Sequence, residues 1–276
     1  MSKPRLRPVI SAVRGQSPRS EELVTASALK LRVATLVAGR GAGQVIGALT
    51  GKRIRHQGLW FDTRSTDFTP QVRAQMFWGA YEGAETRMIR RFLRGSTAVV
   101  ELGSSLGITA AHIAAVMKPG GHLACVEANP RLLPGLRERT SKRYANMRVD
   151  VVHAAVTDHC GTAALAIAVH TVGSRLHADP RANESTLQVP ALTLREVVRQ
   201  LEMTEFDLVS DIEGSETAFL MQDPSVLTNC RRAVIELHDT AFRGREVSVF
   251  DLLDAAASAG FDVIGRHGPV VALARN

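Results

Sequence analysis

The stretch Thr97-Ala98-Val99-Val100-Glu101-Leu102-Gly103-Ser104-Ser105-Leu106-Gly107 decides how this chain is read. Thr97–Leu102 is a short apolar run rich in aliphatic residues, the pattern of a buried strand. It passes through two glycines into Ile108–Met117, which reads as a helix ended by Pro119-Gly120-Gly121. Glycines at such a junction allow a tight turn and a close approach of backbone to ligand. The helix start that follows offers free N–H groups to an anion.

The same alternation continues downstream. Leu123–Glu127 reads as a second strand, Pro130–Tyr144 as a helix and Met147–Val156 as a third strand. A strand in the 160s and a polar stretch lead to a helix over Leu192–Leu201. Phe206–Ile212 and Ala233–Leu237 are further strands, joined by a helix that starts near Ser215. Glu246–Ala259 is helical, and Phe261–Gly265 with Val270–Ala274 closes the sheet as a hairpin. Strands separated by helices predict an α/β fold, a doubly wound, mostly parallel sheet with helices on both faces. Ligands bind such sheets at the carboxyl ends of the strands, where strand order reverses.

Upstream, Met76, Phe77, Ala80, Ala84, Met88 and Phe92 recur at helical spacing and predict one helix over Pro70–Leu93. Residues 51–70 are turn-rich, with Trp60 and Phe61 as anchors. Ser20 followed by Glu21 and Glu22 reads as a helix start, with apolar spacing at Leu23, Ala26, Leu29 and Val33. The expected organisation is a disordered basic tail over 1–20, a helical and irregular extension over 21–70, and the α/β domain over 71–276.

Residues 1–94 carry 17 Lys/Arg against 6 Asp/Glu, whereas residues 95–276 carry 17 against 21. The positive charge is therefore local. Pro4, Pro8 and Pro18 make the first 20 residues a solvated tail rather than a transit helix, and nucleic acid is disfavoured as a partner. Three scattered cysteines argue for a reducing compartment and against a disulfide framework or zinc knuckle. With no apolar run long enough to span a bilayer, a cytoplasmic location is expected.

The spacing E-x-G-x-x-x-G is neither the three-glycine dinucleotide fingerprint nor a P-loop, which would need Lys-Ser/Thr. Glu127 ends the second strand 24 residues after Gly103, where an acid commonly binds ribose hydroxyls. Loop and acid together suggest S-adenosylmethionine, its methionine end at the loop and its ribose at Glu127. The second glycine cluster, Gly39 to Gly47, follows a helical pattern rather than a strand and reads as a loop between helices.

These segments resemble the FkbM-type S-adenosylmethionine-dependent methyltransferases, within the class I methyltransferase fold. The match rests on Tyr81-Glu82, Val99–Gly107, Val126-Glu127-Ala128-Asn129-Pro130, Ala154-Ala155-Val156-Thr157-Asp158 and Leu192-Thr193-Leu194, in that order. Most specific is Asp211-Ile212-Glu213-Gly214-Ser215-Glu216, similar to the family's D-x-E-G-x-E signature, followed by Ile235-Glu236-Leu237-His238. Glu101 stands where the family often has Asp, and Val209 where Lys is common. The resemblance implies a seven-stranded, Rossmann-like sheet. It also implies cofactor contacts at Glu101, Gly103, Ser104, Gly107, Glu127, Ala128, Ala155 and Asp211.

The expected reaction is O-methylation of a small-molecule hydroxyl; the resemblance suggests a sugar, a glycolipid or a polyketide-like natural product. An alcohol needs a positioned base, and histidine suits that task at neutral pH. His238 is the expected base, oriented by Asp211, Glu213 or Asp239, with Asp211 and Glu213 as catalytic acids of the site. The same four groups can converge on a divalent ion, but no histidine pair has metal-ligand spacing, so a metal is not favoured. Trp60, Phe61, Phe77, Trp78 and Tyr81 are candidates for an apolar lid, with core packing the commoner fate of such residues. Homo-oligomerisation is open. The competing readings are N-methylation of a protein or nucleic acid, and a catalytically silent adenosylmethionine-binding protein.

Overall fold

The computed structural model describes residues 38–144, 146–168, 174–176 and 184–276. The basic tail, the helix expected from Ser20 and part of the polar stretch after the 160s strand lie outside the described residues. In chain order the elements begin with α1 (Arg40–Leu49), a hairpin of β1 (Arg53–His56) and β2 (Leu59–Asp62), α2 (Pro70–Phe77) and α3 (Gly83–Phe92). The α/β alternation follows with β3 (Ala98–Leu102), α4 (Ile108–Ala114), β4 (His122–Glu127), α5 (Leu133–Arg143) and β5 (Arg148–His153). After β6 (Ala155–Val156), β7 (Gly161–Ala168), β8 (Ser174–Leu176) and β9 (Glu184–Leu192) come α6 (Leu194–Gln200), β10 (Phe206–Ser210) and β11 (Cys230–Glu236). The chain closes with β12 (Thr240–Phe242), β13 (Arg245–Val247), α7 (Val249–Ser258), β14 (Phe261–His267) and β15 (Val270–Arg275).

Seven strands form the main sheet in the order β14-β15-β11-β10-β3-β4-β5, with β15 antiparallel to both neighbours and the other strands parallel to one another. This is the doubly wound, Rossmann-like sheet expected. Central strands such as Leu123–Val126 are buried on both faces, as parallel strands covered by helices must be. Order reverses between β3 and β10. The loops leaving those two strands border the crevice that opens there. Among the described residues no helix is long and apolar enough to cross a membrane.

Four expectations need correction. The helix read over Pro70–Leu93 is two helices, because Gly79 (φ 69) and Glu82 (φ 45) take left-handed backbone between them. The glycine cluster read as a loop is α1. A Cβ at Gly43 would lie 1.7 Å from the Pro70 carbonyl oxygen, so the glycine is what lets α1 cross the start of α2. The third strand leaves the main sheet after His153; Ala155–Val156 instead pairs with β9 in a separate sheet of order β6-β9-β7-β8. Pro190 within β9, and its polar first half, hid that strand. Finally, the segment from Ser215 forms a π turn (Ala218–Gln222) and a 3-10 turn (Pro224–Asn229) rather than an α-helix.

Residues of the extension share a core with the α/β domain. Ile46, Ile54, Phe61 and Phe68 pack with Leu106, Ile108 and Ala111, in the glycine loop and the helix that follows it. This packing carries the break between α2 and α3 to the mouth of the crevice.

Candidate active site

Loops stitched by backbone hydrogen bonds set the geometry of the crevice. Gly103 (φ 83) and Ser104 donate N–H to the Val126 carbonyl at 2.9 and 3.1 Å, and Asp211 N–H donates to Leu102 at 3.1 Å. The loops after β3 and β10 therefore touch, and a Cβ on Gly103 would sit 2.0 Å from the Asp211 carbonyl oxygen. Glu127 is held by two backbone amides: Ser105 N–H donates to Oε2 at 2.7 Å and Asn129 N–H to Oε1 at 2.6 Å. Ser105 (φ 45), Glu82 (φ 45) and Glu213 (φ 54) are left-handed non-glycine residues gathered around this one crevice. Such strain tends to collect at functional sites.

The crevice is a cleft of about 740 Å³. Gly103, Glu127, Ala128, Ala155, Asp211 and Glu213, all expected site residues, line it. Glu101, Ser104 and Gly107 lie behind its wall and shape it: Gly107 (φ 69) starts α4 against Leu136, and Glu101 and Ser104 are buried below the loop. Sequence reasoning missed Glu82, Glu85 and Glu236 as lining residues. Glu82 was visible only as part of Tyr81-Glu82, and Glu236 only beside His238. Glu85 sits on a stretch read as uninterrupted helix, which gave no sign that it faces a ligand.

The lining is acidic, and burial dominates its chemistry. Asp211 is pushed up to about 7 by burial and then by the charge of Glu213, against the pull of His238. Glu236 rises to about 8 through burial, then through its hydrogen bond with Glu85. Glu82 reaches about 8 for the same first reason, although the Thr109 hydroxyl donates to it. Burial alone would lower His238, but its Nδ1–H bond to Glu216 (3.1 Å) and the charges of Glu216, Asp211 and Glu213 outweigh it and raise it to about 9.

His238, the base expected from the sequence, stands back from the cleft: it is not among the residues lining it. Its Nε2 lies 3.9 Å from Asp211 Oδ1 and 3.8 Å from Glu213 Oε2, so it neighbours the acids, whose charges favour its protonated form while no cation shares the cluster. Asp239 leaves the cluster as well: its Oδ1 accepts Val249 N–H at 2.8 Å at the start of α7. Among the expected lid residues Tyr81 lines the cleft, Phe61 belongs to the core, and Trp60, Phe77 and Trp78 are exposed.

Glu101 gives a pH-dependent prediction. Burial raises it from 4.5 to about 7 against the pull of the neighbouring Ser104 hydroxyl and Cys125 thiol, and the charge of Glu127 adds to the rise. The folded state thus favours the protonated acid. Its stabilising contribution is complete below the unfolded value and drains away as pH rises through about 7. In urea denaturation the wild type should lose about 2 kcal/mol from this group between mildly acidic and mildly alkaline pH, and Glu101→Gln should abolish that loss. An unchanged pH slope in the variant would contradict the assignment.

The methyltransferase FkbM domain pattern matches residues 101–263. No curated protein matches the chain. Among solved structures, a protein of the NADB-Rossmann superfamily from Streptococcus agalactiae is 8% identical, with a TM-score of 0.43, and the alignment covers 70% of this chain and 68% of that one. Ribosomal protein L11 methylase from Lactobacillus delbrueckii subsp. bulgaricus is 10% identical over 72% of this chain and 79% of its own, with a TM-score of 0.42. Aeropyrum pernix fibrillarin, solved with natively bound S-adenosyl-L-methionine, is 14% identical over 66% of each chain, with a TM-score of 0.39. The domain match runs from the acid that precedes the glycine loop into the final hairpin, more than half of the sequence, and on that ground the chain belongs to the FkbM methyltransferase family.

Proposed function

We propose that this chain transfers a methyl group from S-adenosylmethionine to a hydroxyl of a small molecule, a sugar, glycolipid or polyketide-like natural product. The observation that carries the reading is one continuous cleft lined by Gly103 and Glu127 together with Asp211, Glu213 and Glu236. When bound, S-adenosylmethionine supplies an electrophilic methyl group on a positively charged sulfur.

The residues present fit that cofactor. Each Glu127 oxygen spends one lone pair on a backbone amide and keeps another for a ribose hydroxyl. Gly103 brings backbone to the cleft wall where no side chain fits. The acidic wall at Asp211 and Glu213 favours a cationic sulfur beside it. Methyl transfer depends heavily on alignment, which the stitched loops supply by fixing the wall before the ligand arrives. Asp211 faces the cleft and, raised to about 7, can accept the proton of an acceptor hydroxyl. His238, held by Glu216, is a positioning residue that keeps Asp211 in place.

Calorimetry with S-adenosylmethionine and S-adenosylhomocysteine tests the cofactor. Micromolar binding is expected, and Glu127→Gln should weaken it about 10- to 100-fold, the worth of hydrogen bonds to a charged acceptor. Well-folded protein that binds neither compound would sink the reading. Transfer of labelled methyl into a panel of hydroxyl and amine acceptors then tests O- against N-methylation.

A further inference from the structure

We propose that Asp211, Glu236 and His238 bind a hard divalent cation of the magnesium or manganese class beside the cleft. One ligand atom from each of the three residues lies within 4.8 Å of the other two. Nε2 of His238 is 3.9 Å from Asp211 Oδ1, 3.8 Å from Glu236 Oε1 and 3.8 Å from Glu213 Oε2. These gaps are too long for hydrogen bonds. Ligand atoms about 2.1 Å from an octahedral ion stand roughly 3 Å apart, so a contraction of about 1–2 Å closes the set around one.

A second observation comes from behind the histidine. Glu216 is wholly buried and accepts the Nδ1–H at 3.1 Å, which turns Nε2 toward the three carboxylates. A carboxylate behind the imidazole is the usual support of a metal-ligating histidine, fixing its tautomer and orientation. The second oxygen of Glu216 accepts no hydrogen bond although it is sealed from solvent, and the same holds for Asp211 Oδ1. An ion held by Asp211, Glu236 and His238 would give the shielded Asp211 oxygen the partner it lacks. The donor set is two carboxylates and one imidazole, with Glu213 free to add a fourth, and this selects a hard ion over a thiolate-seeking one. The sequence reading had placed Asp239 in this group; Glu236 takes its place.

Asp211, Glu213 and Glu236 line the cleft, so an ion held there would face a bound acceptor and make its hydroxyl more acidic. That role rests on the methyltransferase reading; the site itself does not. The test is a manganese(II) titration of the full chain, stripped with chelator and free of cofactor, followed by the electron paramagnetic resonance signal of the free ion. One manganese per chain is expected to bind saturably with micromolar affinity, and magnesium should compete. Glu236→Gln and His238→Ala should each weaken binding more than about 10-fold, and Glu216→Gln by about 10- to 100-fold. Asp262→Asn, on an exposed strand position, should leave it unchanged.

Circular dichroism and S-adenosylhomocysteine binding establish that each variant is folded. If His238→Ala is not, Glu236→Gln and Glu216→Gln carry the test. Absence of saturable binding by folded wild type at millimolar manganese overturns the proposal. So does binding that survives the substitutions, which would be an adventitious ion only. Either failure leaves the calorimetric test of the cofactor standing, so the two ideas fail separately.

Discussion

Gly103→Ala is expected to weaken S-adenosylhomocysteine binding by at least about 100-fold, equivalent to about 3 kcal/mol, and to remove measurable methyl transfer. The added methyl would lie 2.0 Å from the Asp211 carbonyl oxygen, so one loop must retreat by more than the space available. The backbone at φ 83 adds a penalty of about 1–2 kcal/mol for any residue with a Cβ. Retreat of the first loop also withdraws Ser105 N–H from Glu127, and retreat of the second displaces Asp211, so both halves of the cleft suffer. Overpacking costs about 1–3 kcal/mol in stability, which an ordinary domain can bear, and the protein should remain folded. Gly120→Ala is the control. Gly120 has a similar φ of 76 but nothing within 4 Å of an added Cβ, so it should lose about the same backbone strain and keep full affinity. Wild-type affinity in Gly103→Ala would show that the close contact between the two loops does not shape the ligand site.

The contrast between these glycines also marks how far the sequence could be read. Val99–Leu102 and Leu123–Val126 were legible because a strand buried on both faces writes itself as a continuous apolar run, and the loops after them are contiguous with it. The mostly parallel sheet followed from the order of such runs, and its seven strands from the family resemblance. The break between α2 and α3 was not legible: Met76, Ala80, Ala84 and Met88 keep helical spacing straight across Gly79, although the glycine pair Gly79 and Gly83 was a local hint. Gly43 owes its identity to Pro70, 27 residues away, and no local pattern reports such a crossing.

The site shows the same division. Gly103, Glu127, Asp211 and Glu213 were legible because each ends a strand or lies in the loop after it, and all four line the cleft. Side chains two apart on a strand share a face, so Glu236 rather than Asp239 belonged with His238; the alternation at the end of β11 carried that signal. The charge on His238 was out of reach. It depends on Glu216, which an irregular turn of the chain folds back and buries under the imidazole.

Asp211→Asn is expected to separate activity from stability. Asp211 faces the cleft where Glu213 and Glu236 also present carboxylates, and an amide there can neither take a hydroxyl proton nor hold charge. The turnover number should fall by about 100- to 10,000-fold, the usual worth of a positioned proton acceptor. Affinity for S-adenosylhomocysteine should change far less, since the backbone of residue 211 stays bonded to Leu102 and the cleft wall keeps its shape. Stability should move the other way. Oδ1 of Asp211 accepts no hydrogen bond, and burial and the charge of Glu213 both oppose its ionisation, so neutralising it removes a cost. Denaturation of the apo protein in chelator at pH 8 should therefore show the variant at least as stable as wild type, as expected where function is maintained against stability. The two readouts discriminate among roles. A fall in affinity as large as the fall in turnover would make Asp211 a cofactor ligand rather than a catalytic group. A loss of stability would mean that its carboxylate holds the loop, and the unpaired oxygen would have to find its partner elsewhere in the fold.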